Sequence, residues 1–151
     1  MSGDTDLIKL YSQRILALAA DIPHAGRLDA PQASVRKRAP LCGSTVTVDL
    51  DMADGRITRF GQDVKACALG QAAASLMGAD ILGRTRAEVE EARDALRAML
   101  KDGASPPGAP FHGYEVLEPA REYRNRHASI LLSLEATAEA MAEAEQASAC
   151  A

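Results

Sequence analysis

Apolar and polar residues alternate without a break from Thr45 to Met52. Val46, Val48, Leu50 and Met52 fall on one side, and Thr45, Thr47, Asp49 and Asp51 on the other, a pattern that predicts a half-buried antiparallel strand. Asp54-Gly55 then signals a tight turn, and Arg56 to Val64 reads as the returning strand, with Gly61 a candidate bulge. An isolated hairpin is rarely stable, so a further strand is expected near Tyr114 to Leu117.

The other periodic stretches are helical. Ile8, Tyr11, Ile15 and Leu18 make a stripe from Asp6 to about Ala20, with Gln13 and Arg14 off that face, and Pro23 and Gly26 end it. From Cys67, the residues Leu69, Ala72, Ala73 and Leu76 form a second stripe that stops at Gly78. Thr85-Arg86-Ala87-Glu88 is a capping box. It opens a helix that buries Val89, Ala92, Leu96, Met99 and Leu100 and stops at Gly103. A final helix is expected from about His127 through Ile130, Leu131, Leu134 and Met141, with residues 143–151 a frayed tail. Pro31 to Pro40, containing Arg36-Lys37-Arg38, reads as an exposed loop, as does Ala104 to Pro110. Together these elements predict an α+β fold: a small antiparallel sheet of about three strands, helices packed on one face, and a single domain over residues 1–151.

Composition narrows the picture. Apolar residues make up 47% of the chain, aromatics only 3%, and tryptophan is absent. The core is therefore expected to be Ala, Leu, Ile, Val and Met, which suits close-packed helices better than an aromatic-lined ligand pocket. A formal net charge of −4 argues against a nucleic-acid partner, which calls for concentrated positive charge. No apolar run approaches the ~20 residues of a membrane-spanning helix, and the acidic Met1-Ser2-Gly3-Asp4 start carries no secretory pattern. Three cysteines at unlike spacings do not make a disulfide framework, so a reducing cytoplasm is the expected setting.

Two of those cysteines carry the chemistry. Cys42, in Pro40-Leu41-Cys42-Gly43-Ser44, closes the long loop just before a strand. Cys67, in Lys65-Ala66-Cys67-Ala68-Leu69-Gly70, stands where a strand gives way to a helix. The hairpin between them goes out and comes back, which should bring both sulfurs to one edge of the sheet. A helix N-terminus favours negative charge, so Cys67 is expected to lose its proton more readily than a free cysteine. Two thiols held together, with a third ligand from elsewhere, point to metal or sulfur chemistry. His24 and His112 read as solvated loop residues, Arg36-Lys37-Arg38 as a solvated charge run, and Cys150 as an exposed thiol or a sulfur relay.

The order of elements together with these motifs resembles the iron–sulfur cluster assembly scaffold family of NifU N-terminal, IscU and SufU proteins, from Leu10-Tyr11 to about Ala136. The family's first ligand lies in a Pro-x-Cys-Gly-Asp motif, matched by Pro40-Leu41-Cys42-Gly43-Ser44. Its second opens an Ala/Ser-rich helix, matched by Ala66-Cys67-Ala68-Leu69-Gly70-Gln71-Ala72-Ala73-Ala74-Ser75. Its third starts the last helix in an Arg-x-Lys-Cys-Ala-Thr-Leu pattern, where this chain has Arg124-Asn125-Arg126-His127-Ala128-Ser129-Ile130. The helix from Thr85 to Lys101 and its Pro-rich loop resemble the SufU branch. Ser44 replaces an aspartate and His127 a cysteine. The Leu-Pro-Pro-Val-Lys segment by which IscU proteins bind a chaperone is missing before His127, so chaperone-assisted delivery is not expected.

The resemblance implies a scaffold or carrier rather than a catalyst. It would take sulfur from a cysteine desulfurase, build a [2Fe–2S]-type unit on Cys42, Cys67 and His127, and release it to recipient apo-proteins. Ser44 is a further candidate ligand, though a neutral hydroxyl binds metal weakly. Two thiolates and one imidazole also match a zinc site with one open place, which leads to the alternative of a zinc-containing sulfur acceptor with sulfurtransferase character. Arg124 and Arg126 would flank either site and stabilise a thiolate or persulfide. A third reading is a metal-free interaction domain that kept the shape after losing the ligands.

Overall fold

The alternating stretch forms the centre of a three-stranded antiparallel sheet in the order β1-β2-β3: Ala33–Arg38, Thr45–Ala53 and Arg56–Lys65. The structure is a computed structural model describing residues 12–150, without the side chains of 148–150. Val46, Val48 and Leu50 on β2 are almost fully buried, as their alternation predicts. Asp54 (φ 54°) and Gly55 (φ 76°) both take the left-handed conformation of a two-residue turn whose twist matches the flanking strands. The irregularity in the hairpin is not at Gly61. Asp51 pairs with Arg59 and Met52 with Ile57, so Thr58 is the extra residue. Gly61 pairs in register with Asp49. It is glycine for another reason: a Cβ there would lie 2.9 Å from the Gly26 carbonyl oxygen, where the 26–28 segment crosses the sheet.

The third strand is β1, in the region expected to be an exposed loop. Ala33 and Val35 point into the core while Ser34 and Arg36 point out. Two small apolar positions are too few for a visible period. The free edge of β2 supplies the pairing, from Ala33 against Leu50 to Arg38 against Thr45. The strand expected near Tyr114 to Leu117 is instead part of a 3-10 helix, His112–Glu122. Its buried residues, Tyr114, Leu117 and Ala120, recur every third position, the repeat of that helix.

The helices are α1 (Gln13–Ala20), α2 (Ala68–Gly78), α3 (Arg86–Asp102) and α4 (Arg124–Cys150). The expected residues Ile8 and Tyr11 of the first helix lie outside the described residues. Within them, Ser12 caps α1 by accepting the Ile15 amide, and Ile15 is fully buried. Thr85 and Glu88 make both bonds of the capping box, and Gly103 ends α3 with φ 70°. The last helix lies against β1 and β2 and packs on α2 and α3. It begins three residues before His127. It also continues past Glu143, where fraying was expected, because Ala144 is buried and Glu145 is 2.9 Å from Arg86. Among the described residues no helix is long and apolar enough to cross a membrane.

Candidate functional site

One end of the sheet closes with the pair Thr45–Lys65, and both cysteines lie just beyond it. On one side the chain makes a tight turn: the Ala39 amide donates to the Ser44 carbonyl (2.8 Å) and the Gly43 amide to the Ala39 carbonyl (2.9 Å). Gly43 has φ 72°, a conformation that glycine adopts without steric cost. This turn leaves Leu41 81% exposed and Cys42 half-buried. On the other side Cys67 is the N-cap of α2, its carbonyl accepting the Gln71 amide and its thiol free of any capping bond. Both thiols are free, and both lie beyond the same end of the sheet.

What joins them is a pair of buried hydroxyls. The Cys42 Sγ is 3.3 Å from Ser44 Oγ, Ser44 Oγ is 2.9 Å from Ser129 Oγ, and Ser129 Oγ is 3.6 Å from Cys67 Sγ. These three contacts need three protons. They are all satisfied when the Cys42 S–H donates to Ser44, the Ser44 hydroxyl to Ser129 and the Ser129 hydroxyl to the Cys67 sulfur. Burial opposes ionisation of Cys42, but hydrogen bonds from the Ser44 hydroxyl and amide, the Ser129 hydroxyl and its own amide outweigh it and pull the thiol below its ordinary range. Ser44 is therefore a partner of the thiol in this arrangement.

His127 is not brought to the thiols. Its Nε2 is 3.1 Å from both the Ala120 and Arg121 carbonyl oxygens, at the end of the 3-10 helix. Two acceptors fix the proton on Nε2. Two residues along a helix is a rotation of about 200°, so a helix that turns Ser129 toward the cysteines turns His127 away. The ring lines a separate cavity of about 770 Å³ with Lys101, Arg121 and Arg124. Arg126 makes no ion pair among the described residues. His24 stacks edge-on against Phe60, with ring centroids 6.1 Å apart, and His112 begins the 3-10 helix. Lys37 pairs with Glu139 at 3.0 Å, while Arg36 and Arg38 are exposed. The Cys150 side chain lies outside those described. Among the described residues no three His, Cys, Asp or Glu side chains stand close enough to share a metal ion.

Ser129 carries a role that the sequence reading missed. The signal was present in Ser129, Ser133 and Thr137, three buried hydroxyls spaced four apart on a helix face that should otherwise be apolar. Gly70 is the second sign. A Cβ there would lie 2.5 Å from Ser129 Oγ and 2.8 Å from the Ala66 Cβ, so only glycine lets α4 bring this hydroxyl against α2. Gly70→Ala gains about 1 kcal/mol of helix propensity and loses roughly 1–3 kcal/mol to overpacking. The expected result is a net loss of stability in urea denaturation, partly recovered by adding Ser129→Ala. A Gly70→Ala protein more stable than wild type would show that the cradle is slack.

No family model and no curated protein matches the chain. Solved structures do. A SUF-system protein from Fervidobacterium islandicum AW-1, assigned as an iron–sulfur cluster assembly scaffold, is 20% identical with a TM-score of 0.77, covering 89% of this chain and 98% of that one. A hypothetical protein is also 20% identical, with a TM-score of 0.79 and the same coverage. At that identity these two establish the fold. The N-terminal region of a nitrogen-fixing NifU-like protein from Brucella abortus is 42% identical with a TM-score of 0.90, over 93% of this chain and 98% of that one. Identity of that degree over nearly both full lengths, on the same sheet and helices, places this chain in the NifU-like N-terminal family of iron–sulfur cluster assembly scaffolds.

Proposed function

We propose that Cys42 and Cys67 carry iron and sulfur as cargo, assembling a [2Fe–2S]-type unit that is handed on to recipient apo-proteins. The observation that carries this reading is the convergence of two half-buried free thiols on one hydroxyl bridge at an open end of the sheet. Two thiolates suit iron–sulfur units and soft cations, and an incomplete protein shell leaves places for incoming ligands and for release. His127 adds a donor only through Nδ1 or by leaving its two carbonyls.

Sulfur delivery follows from Cys42. Its thiolate attacks the outer sulfur of a persulfide on a cysteine desulfurase, the donor's S–S bond breaks, the donor thiolate leaves, and Cys42 holds the persulfide. Leu41, exposed beside it, offers an apolar contact to the approaching protein. A second reading, a zinc-containing sulfur acceptor, uses the same two free thiols.

Anaerobic reconstitution with iron and sulfide tests the first reading. The expected result is sulfur-to-iron charge-transfer absorption with protein-retained iron and acid-labile sulfide. Retention no greater than that of the Cys42→Ser, Cys67→Ser double variant rejects it. Zinc in protein purified without added metal, lost in the same double variant, would select the second reading.

A further inference from the structure

We propose that Ser129, rather than His127, is the third corner of this metal-capable site, its hydroxyl standing where a third donor to iron or another thiophilic cation enters. The inference deepens the cargo reading of Cys42 and Cys67 and rests on it.

Three independent features support the assignment. The Ser129 side chain is 2% exposed and its Oγ reaches the Ser44 hydroxyl at 2.9 Å and the Cys67 sulfur at 3.6 Å. Gly70 has no left-handed backbone to explain it, yet it preserves the space in which that hydroxyl sits. The phase of α4 excludes its neighbouring residues: His127 is turned to the 3-10 carbonyls, and Ala128 has no donor atom. A neutral hydroxyl binds a soft cation more weakly than a thiolate does. As a third donor it makes retention short-lived, which suits cargo that must leave.

Anaerobic titration with Co²⁺, followed by thiolate-to-cobalt charge transfer in the near ultraviolet, tests this on the apo-protein. Ser129→Cys is expected to tighten binding by about tenfold or more and to add the charge-transfer intensity of one further thiolate. Ser129→Ala should weaken binding by up to about tenfold, Ser129→Thr should retain it, and His127→Ala should stay within about twofold of wild type. The opposite pattern, loss in His127→Ala with Ser129→Cys and Ser129→Ala both like wild type, overturns the proposal. A wild type that binds no Co²⁺ overturns this proposal and the cargo reading together, whatever Ser129→Cys binds, whereas a wild type that binds Co²⁺ through both cysteines with no response to any Ser129 variant overturns the proposal alone. Thermal unfolding checks each fold. If Ser129→Cys does not fold, the comparison of Ala with Thr at the same position decides: equal affinities overturn the proposal.

Discussion

Cys42→Ser is expected to reduce retained iron and sulfide to background and also to abolish sulfur acceptance from a cysteine desulfurase. Cys67→Ser should lose the metal and keep the acceptance. The difference follows from position. Metal retention needs both sulfurs, because a single thiolate beside neutral hydroxyls leaves a soft cation mostly to solvent. Sulfur acceptance needs only an accessible nucleophile, and that is the thiol on the turn beside exposed Leu41, ionised below its ordinary range by the hydroxyls it meets. Both sulfurs are half-buried at the edge of the core, so oxygen in their place should change stability by only about 1 kcal/mol or less. Mass spectrometry of the chain after incubation with the desulfurase and cysteine reads the outcome as the gain of one sulfur atom. Gain in Cys42→Ser with none in Cys67→Ser would reverse the assignment of the two thiols.

The sequence revealed those parts of the fold whose local signals agree with the tertiary structure. The β2–β3 hairpin combines a strict period of two with an Asp-Gly turn, and α3 combines a capping box, an apolar stripe and a terminal glycine. Each of these elements specifies itself. β1 does not: Ala33 and Val35 are its only buried side chains, and it exists because β2 has an edge to fill. Tyr114 and Leu117 suggested a strand because a period of three over so short a run differs little from alternation. The same division holds at the site. The two cysteines were legible as a pair because a hairpin of known length returns to its start. The third corner depends on the rotational phase of α4, which starts at Arg124 rather than His127. A shift of two residues moves a side chain to the opposite side of a helix, and motif spacing alone does not resolve that. Asp49 lies on the polar side of the β2 alternation, yet the 26–28 segment folds over that face and covers it.

That covered carboxylate sets the second large effect. Asp49 has no exposed side-chain surface and accepts from Arg27 Nε (2.7 Å) and Nη2 (3.3 Å), the Leu28 amide (3.0 Å) and the Ser34 hydroxyl (2.6 Å). Asp49→Ala leaves the amide and hydroxyl without their acceptor and frees the segment that lies on Gly61. Arg27 is about half exposed and can rehydrate, so the expected loss is about 3 kcal/mol, at the lower end of the range for a broken buried pair. Asp49→Asn should lose less, since its amide oxygen still accepts. The effect also depends on pH. Burial alone would raise the Asp49 carboxyl, but bonds from Arg27, Ser34 and the Leu28 amide hold it below the ordinary range. A folded-state value below the unfolded value of ~3.9 means the contribution is complete above that pH and disappears as pH falls through the depressed value. Urea denaturation should therefore show a wide gap between wild type and Asp49→Ala at pH 7 that narrows in strong acid. An equal gap at both pH values would mean that lost packing, and not the charged contacts of Asp49, holds the 26–28 segment on the sheet.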